Sequence, residues 1–120
     1  MYALNFYSPL FIDQLRKGRK TATIRLGDKR SKYERGQLVW VTVGHRHGPR
    51  QRLFTAIIDE VTYKRVGDLT QREIERDNPE FRLVEDITQF LTHIYSREIT
   101  EDDQVTVVHF SEVIEFPPLD

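Results

Sequence analysis

Five short stretches rich in β-branched and aromatic residues, at positions 2–6, 21–26, 38–43, 52–63 and 105–110, are separated by only three segments of helical character. That count narrows the fold more than any other feature. A flat five-stranded sheet has two faces to cover, and three short helices cannot cover both. Strands joined by turns also favour antiparallel pairing. The pattern therefore predicts an α+β domain: a small curled or barrel-like sheet of five to six mostly antiparallel strands with helices packed beside it. At 120 residues the chain is expected to form a single domain, 1–120, with one real core. It shows no repeat, linker or low-complexity segment.

The helices carry local signals. Ser8 and Pro9 read as a helix start, since serine can accept from free N–H groups and proline lacks the N–H that would go unpaired at the first helical position. Leu10, Phe11 and Leu15 offer an apolar side, Arg16 and Lys17 suit the negative end of the helix dipole, and Gly18 can take the left-handed conformation that ends a helix. Thr70 and Glu73 form a capping box, with Leu69 and Ile74 as its hydrophobic staple, so a helix is expected to begin near Gln71 and be interrupted by Asn78-Pro79. Leu83, Ile87, Phe90 and Ile94, with Val84 and Leu91, recur at helical spacing. Residues 38–43 are apolar on both faces, which predicts a central strand with Trp40 in the core. Residues 27–36 read as a charged loop with a helical turn. The last strand is expected to run toward Ile114, with Pro117-Pro118 ending ordered structure.

The net charge of -1 conceals a division along the chain. Residues 1–65 hold 14 Lys/Arg against 5 Asp/Glu, and residues 66–120 hold 4 against 14. A basic first half can form a footprint for phosphates, or the two halves can face each other. The absence of cysteine excludes disulfides, a thiol nucleophile and cysteine zinc sites. No apolar run approaches the roughly 18 residues of a membrane span, and the first residues lack the pattern of a signal peptide. A cytoplasmic protein with no membrane partner and no cofactor is the expectation.

The stretch from Gly18 to Arg25 is the densest in ligand-binding groups: a glycine turn, three cations and two hydroxyls at a helix-to-strand junction. Strand periodicity places Thr21, Thr23 and Arg25 on one face and Ala22, Ile24 and Leu26 on the other. Lys20 is out of phase with Thr23, so the two can meet only if the chain bends or bulges, which Gly18 permits. Gly18, Arg19, Lys20, Thr21, Thr23 and Arg25 are the candidate residues for binding RNA or a nucleoside, with cations on phosphate and hydroxyls on base or sugar.

The spacing Gly18, Lys20, Thr23, Arg25 resembles the G-x-K-x-x-T-x-R signature of the ASCH domain family. The strand and helix before it, the strand entry Gly36-Gln37-Leu38-Val39, the helical insertion near Thr70 and the closing Val107-Val108-His109-Phe110 extend the resemblance over nearly the whole chain. It implies a PUA-like β-barrel with flanking helices and a cleft for RNA or a nucleotide. The run 19–25 is also similar to the motif of the small bacterial N4-acetylcytidine amidohydrolases. That similarity implies Thr23 as nucleophile, Lys20 as its activator and a helical carboxylic acid as proton donor. Alignment through Leu69-Thr70 places Asp77 where those enzymes use glutamate, with Glu73, Glu75 and Glu80 as near alternatives. Chemically, amide cleavage needs a nucleophile, a proton acceptor, a donor for the leaving amine and a group to hold the oxyanion. A lysine can serve as acceptor once desolvation or cationic neighbours such as Arg19 and Arg25 lower its pKa. Recognition of RNA or a modified nucleoside is the leading reading, amidohydrolysis of N4-acylated cytidines the alternative, and a protein-interaction domain the third.

Other candidates carry less. His45-x-His47 has two imidazoles but no third ligand, so no metal site is expected, and with Arg46, Arg50 and Arg52 it reads as a basic loop. His109 reads as a core or cleft-edge residue. Tyr7 and Tyr33 are open to core packing or stacking on a base. Glu98, Glu101, Asp102 and Asp103 read as a solvated turn, since calcium-loop spacing is absent.

Overall fold

The computed structural model describes residues 1–45 and 47–114; Arg46 and the Pro117-Pro118 stop lie outside the described residues. In chain order the elements are β1 (Ala3–Phe6), α1 (Phe11–Arg16), β2 (Ala22–Leu26), β3 (Leu38–Gly44), β4 (Arg50–Arg65), a 3-10 turn (Val66–Asp68), α2 (Gln71–Asp77), α3 (Val84–Tyr95) and β5 (Gln104–Glu112). This is the predicted order of five strands and three helices. The strands make one sheet, β1-β3-β4-β5-β2. β1 lies parallel to β3, and the other three pairs are antiparallel. The result is a curled half-barrel of α+β class, consistent with a small PUA-like barrel.

The sequence neighbours β1 and β2 occupy opposite edges of the sheet. The α1 connection therefore spans the open side of the half-barrel, and the Gly18–Arg25 stretch enters along that seam. Two apolar clusters fill the molecule. One joins Leu4, Phe6 and Leu15 to Val39, Val41, Ala56, Ile58, Val108 and Phe110. The other joins Ile24, Val105 and Val107 to Ile74 of α2 and to Ile87 and Leu91 of α3. Alternate residues of β5 thus serve the two clusters, as the period of two in a strand requires.

The caps behave as local chemistry dictates at α2. Thr70 Oγ1 accepts from the Glu73 N–H, and Glu73 Oε1 accepts from the Thr70 N–H, so the capping box is present and the helix ends just before Asn78. Leu69 and Ile74 are both buried in the second cluster. At α1 the expectation needs correction. Ser8 and Pro9 form a turn ahead of the helix, with Ser8 Oγ accepting from the Leu10 N–H at 3.2 Å, and Phe11 is the first helical residue. Leu10 is 82% exposed and contributes nothing to the apolar side.

β3 is internal to the sheet, as expected, but it is not buried on both faces. Leu38 and Trp40 alternate with buried Val39 and Val41, and Trp40 is 37% exposed. Its ring is covered by the Arg52 guanidinium at 4.8 Å rather than by the core. The apolar side chains of Leu38 and Trp40 on that outer face meet solvent and a cation. Tyr33 is buried and donates its hydroxyl to the Ala3 carbonyl at 3.0 Å, and Tyr7 is exposed. The loop before β3 contains the expected helical turn, with the Tyr33 N–H bonded to the Lys29 carbonyl. β5 ends at Glu112, short of Ile114.

Candidate functional site

The site begins where α1 stops. Gly18 has φ +70°, and the N–H groups of Arg19 and Lys20 both return to the Gln14 carbonyl at 2.9 and 3.1 Å. A left-handed residue here costs glycine little and turns the chain away from the helix axis. Thr21 is then held from two sides. Its N–H donates to the Arg76 carbonyl at 3.0 Å, and its carbonyl accepts from the Phe110 N–H at 3.0 Å. The last turn of α2 therefore docks along the free edge of β2, which gives backbone groups on that edge partners they would otherwise lack.

Lys20 is the centre of this junction. Its side chain is 3% exposed, and Nζ donates to the Ala22 carbonyl at 3.2 Å, to Asp77 Oδ1 at 3.2 Å and, in a short bond, to the Asp77 carbonyl. An ammonium has three N–H donors, and all three are engaged. Asp77 Oδ1 also accepts from the Ile24 N–H at 2.9 Å. The ammonium lies 5.1 Å from the centre of the Phe6 ring and 5.0 Å from that of Phe11, two rings set edge-to-face. Burial pushes the Lys20 pKa below its ordinary value; the Asp77 carboxylate opposes the shift and the Arg25 charge adds to it. Of the four candidate carboxylates, Asp77 is the one brought to Lys20. Glu73 is taken by Lys64 and the Thr70 cap, Glu75 accepts from Gln71, and Glu80 is exposed.

Thr23 and Arg25 do share a face, but the polar row is covered. Thr23 is 5% exposed, as buried as its apolar neighbour Ile24. Arg25 Nε donates to Thr23 Oγ1 at 3.2 Å, and Arg25 Nη2 donates to the Asn5 carbonyl of β1 at 2.9 Å. One guanidinium thus bridges the two edge strands and covers the Thr23 hydroxyl. Behind it, Asn5 Oδ1 accepts from the Thr42 hydroxyl at 2.8 Å and Asn5 Nδ2 donates to the Gly44 carbonyl at 2.9 Å. Lys20 and Thr23 are not hydrogen-bonded to each other; each is held by a different partner. Arg19 is exposed at the turn.

Beside this seam lies a cavity of about 270 Å³. Gly18 and Thr21 of the motif border it, together with Arg76, Phe54, His109 and Asp59. Lys20, Thr23 and Arg25 do not line it, so the sequence motif and the open space are neighbours rather than one place. His109 is half-buried at the cavity edge, as the cleft-edge reading had it. Burial pushes its pKa below the ordinary imidazole value, with Glu60 and Glu73 opposing and Arg76 and Arg72 adding to the shift. Asp59 and Ser111 are site residues that sequence reading missed. Their signal is a register shift visible only in the sheet: Ile58 pairs with Phe110 and Glu60 with His109, leaving Asp59 as an extra residue in β4.

The remaining candidates stay apart. His45 and His47 are exposed, and among the described residues no group of His, Asp or Glu is arranged to hold a metal ion. In the acidic turn, Asp102 pairs with Arg65 and Asp103 accepts from the Thr100 N–H. The pairs Lys20–Asp77, Lys64–Glu73 and Arg65–Asp102 all join the basic first half to the acidic second half, so part of the charge division is spent on internal contacts. No helix among the described residues is long and apolar enough to cross a membrane.

No family model and no curated protein matches the chain. Solved structures do. An ASCH domain from Lactobacillus crispatus superposes with a TM-score of 0.65 at 16% identity, over 92% of this chain and 79% of that one. A DUF984 protein from Enterococcus faecalis gives a TM-score of 0.70 at 16% identity, over 94% and 80%. A hypothetical protein gives 0.67 at 15% identity, over 93% and 98%. Identities this low speak to architecture alone, and on that architecture the chain has the fold of an ASCH domain.

Proposed function

We propose that this protein recognises RNA or a modified nucleoside in the cavity between the α1–β2 turn and β5. The observation that carries the reading is the cavity itself. At about 270 Å³ it lies near the small end of the roughly 300–1,000 Å³ usual for small-molecule sites, which suits one nucleoside rather than a run of bases. Phe54 and Phe110 supply aromatic lining, Thr21 and Ser111 supply hydroxyls, and Arg76 supplies a cation. Exposed Arg16, Lys17 and Arg19 near the turn and Arg72 on α2 are available to flanking phosphates. The test is calorimetric titration with nucleosides and fluorescence anisotropy with single-stranded RNA across a salt series. RNA binding is expected to weaken as salt rises, since neutralised phosphates release counterions, and Arg76→Ala is expected to weaken both ligands. Salt-insensitive RNA binding, or no binding of either ligand, sinks the proposal.

A second reading, hydrolysis of N4-acylated cytidines, is favoured by one observation: the buried Lys20–Asp77 contact at 3.2 Å. In this reading the Thr23 hydroxyl attacks the acyl carbonyl and passes its proton to neutral Lys20. The amine leaves as cytidine after taking a proton, and water then releases the acid from the acyl-threonine. Burial favours the neutral lysine that this step needs. The covering of Thr23 by Arg25 and the use of all three Lys20 hydrogens oppose it, so the guanidinium and ammonium must both shift when substrate enters. Chromatography of N4-acetylcytidine incubated with the protein decides: conversion to cytidine, abolished in Thr23→Ala, supports catalysis, and an unchanged panel of N4-acylcytidines ends this reading while leaving recognition standing.

A further inference from the structure

We propose that Asp59, presented by the bulge in β4, is a specificity-determining residue of the cavity: its carboxylate selects ligands that offer it a hydrogen-bond donor. The inference rests on reading the cavity as a nucleoside site. Asp59 is the residue inserted between the pairs Ile58–Phe110 and Glu60–His109, and a bulge of this kind re-aims the side chain it carries. The Ser111 hydroxyl, from the facing strand, donates to Asp59 Oδ2 at 2.5 Å, which holds the carboxylate in one orientation, and among the described residues Oδ1 has no hydrogen-bond partner. Both residues line the cavity, and Glu112 follows on the same strand.

The cavity carries both signs of charge. Arg76 of α2 and His109 of β5 border it beside Gly18 and Thr21. Asp59, set by the bulge opposite the His109–Phe110 step, borders it together with Ser111 and Glu112. A ligand there meets a cation and acceptor oxygens within one space. A carboxylate accepts only, so it rewards an N–H or O–H and repels a carbonyl oxygen. On a nucleoside an exocyclic amine of the base and a ribose hydroxyl are the two donors tested, and either satisfies the same oxygen.

Calorimetric titration with two base pairs of probes, cytidine against uridine and adenosine against inosine, reads the amine. Cytidine against 2′-deoxycytidine reads the ribose. The wild-type protein is expected to prefer the donor-bearing member of one series by tenfold or more, because a carboxylate facing a carbonyl loses its bond and gains repulsion. Asp59→Asn, similar in size and able to donate as well as accept, is expected to bring that ratio to within about threefold of unity. Ser111→Ala removes the orienting bond but keeps the carboxylate, and is expected to retain most of the preference. If Asp59→Asn binds with the wild-type ratios, the assignment is wrong while the nucleoside reading stands. If Ser111→Ala loses the preference as fully as Asp59→Asn, the serine hydroxyl and not the carboxylate is the selecting group, which also overturns it. Binding of none of these probes by the wild-type protein overturns the nucleoside reading and this assignment with it.

Discussion

Helix α2 is tied to the sheet by a lysine–carboxylate pair at each end, and the two pairs are unlike. At its C-terminus Asp77 meets Lys20 with side chains 5% and 3% exposed; at its N-terminus Glu73 meets Lys64 with side chains 10% and 22% exposed. Glu73 is held by the capping box as well as by Lys64, so its carboxylate has partners from its own helix. Asp77 takes its partners from Lys20 in the α1–β2 turn and from Ile24 in β2, 57 and 53 positions away in sequence. The Glu73–Lys64 pair is a local device with a charge added. The Asp77–Lys20 pair is a long-range junction whose two charges have been removed from water, and removal of one partner strands the other.

The largest predicted effect follows from that contrast. Asp77→Ala leaves a buried ammonium without its counter-charge and the Ile24 N–H without its acceptor, and should cost ~3–5 kcal/mol, measured as a fall in the urea midpoint at unchanged slope. Lys64→Ala should cost about 1 kcal/mol or less in the same assay, because its partner keeps the Thr70 bonds and water reaches the pair. Equal losses in the two variants would break the distinction between junction and cap.

The smallest effect is in the pH dependence. Burial pushes Glu73 up, but hydrogen bonds from the Thr70 main chain and from Lys64 outweigh it, so its pKa lies below 4.5. A carboxylate depressed in the folded state contributes stability that is present above its unfolded value and lost as pH falls through the folded one. Stability measured from pH 5 downward should therefore decline less steeply in Lys64→Ala than in the wild type. Lys20 acts in a different window. Its folded pKa is lowered from 10.5, so between the two values the unfolded chain holds more protons and stability rises with pH. Lys20→Met should flatten that alkaline rise, and an unaltered profile would mean that Lys20 titrates as it does in the unfolded chain.

Much of the fold was legible because its signals are short-range. The capping box at Thr70 and Glu73, the stop at Asn78-Pro79 and the left-handed Gly18 each act over three or four residues. Where local reading failed, a distant element had decided. Trp40 has the composition of a core residue, yet it lies 37% exposed on its face of β3, under the Arg52 guanidinium. Thr23 has the pattern of a solvent-facing row, yet Arg25 reaches across to β1 and closes over it. Asp59 gave no signal at all, because a bulge exists only relative to the strand that faces it.

By itself the sequence determined which segments become helices and strands, where α1 and α2 end, and that a glycine turn delivers Lys20, Thr23 and Arg25 to one junction. Capping, glycine conformation and hydrophobic period need only neighbours within a turn or two. The tertiary structure alone decided that Asp77 rather than Glu73 meets Lys20, that Arg25 bridges the two sheet edges, and that the open cavity lies beside the motif with Asp59 in its lining. Those are consequences of the strand order β1-β3-β4-β5-β2. It sets β1 and β2 on opposite edges, leaves one edge of β2 free for α2, and brings β4 and β5 together across about fifty residues of chain. Such pairing depends on the summed packing of the whole sheet, which no stretch of residues encodes alone.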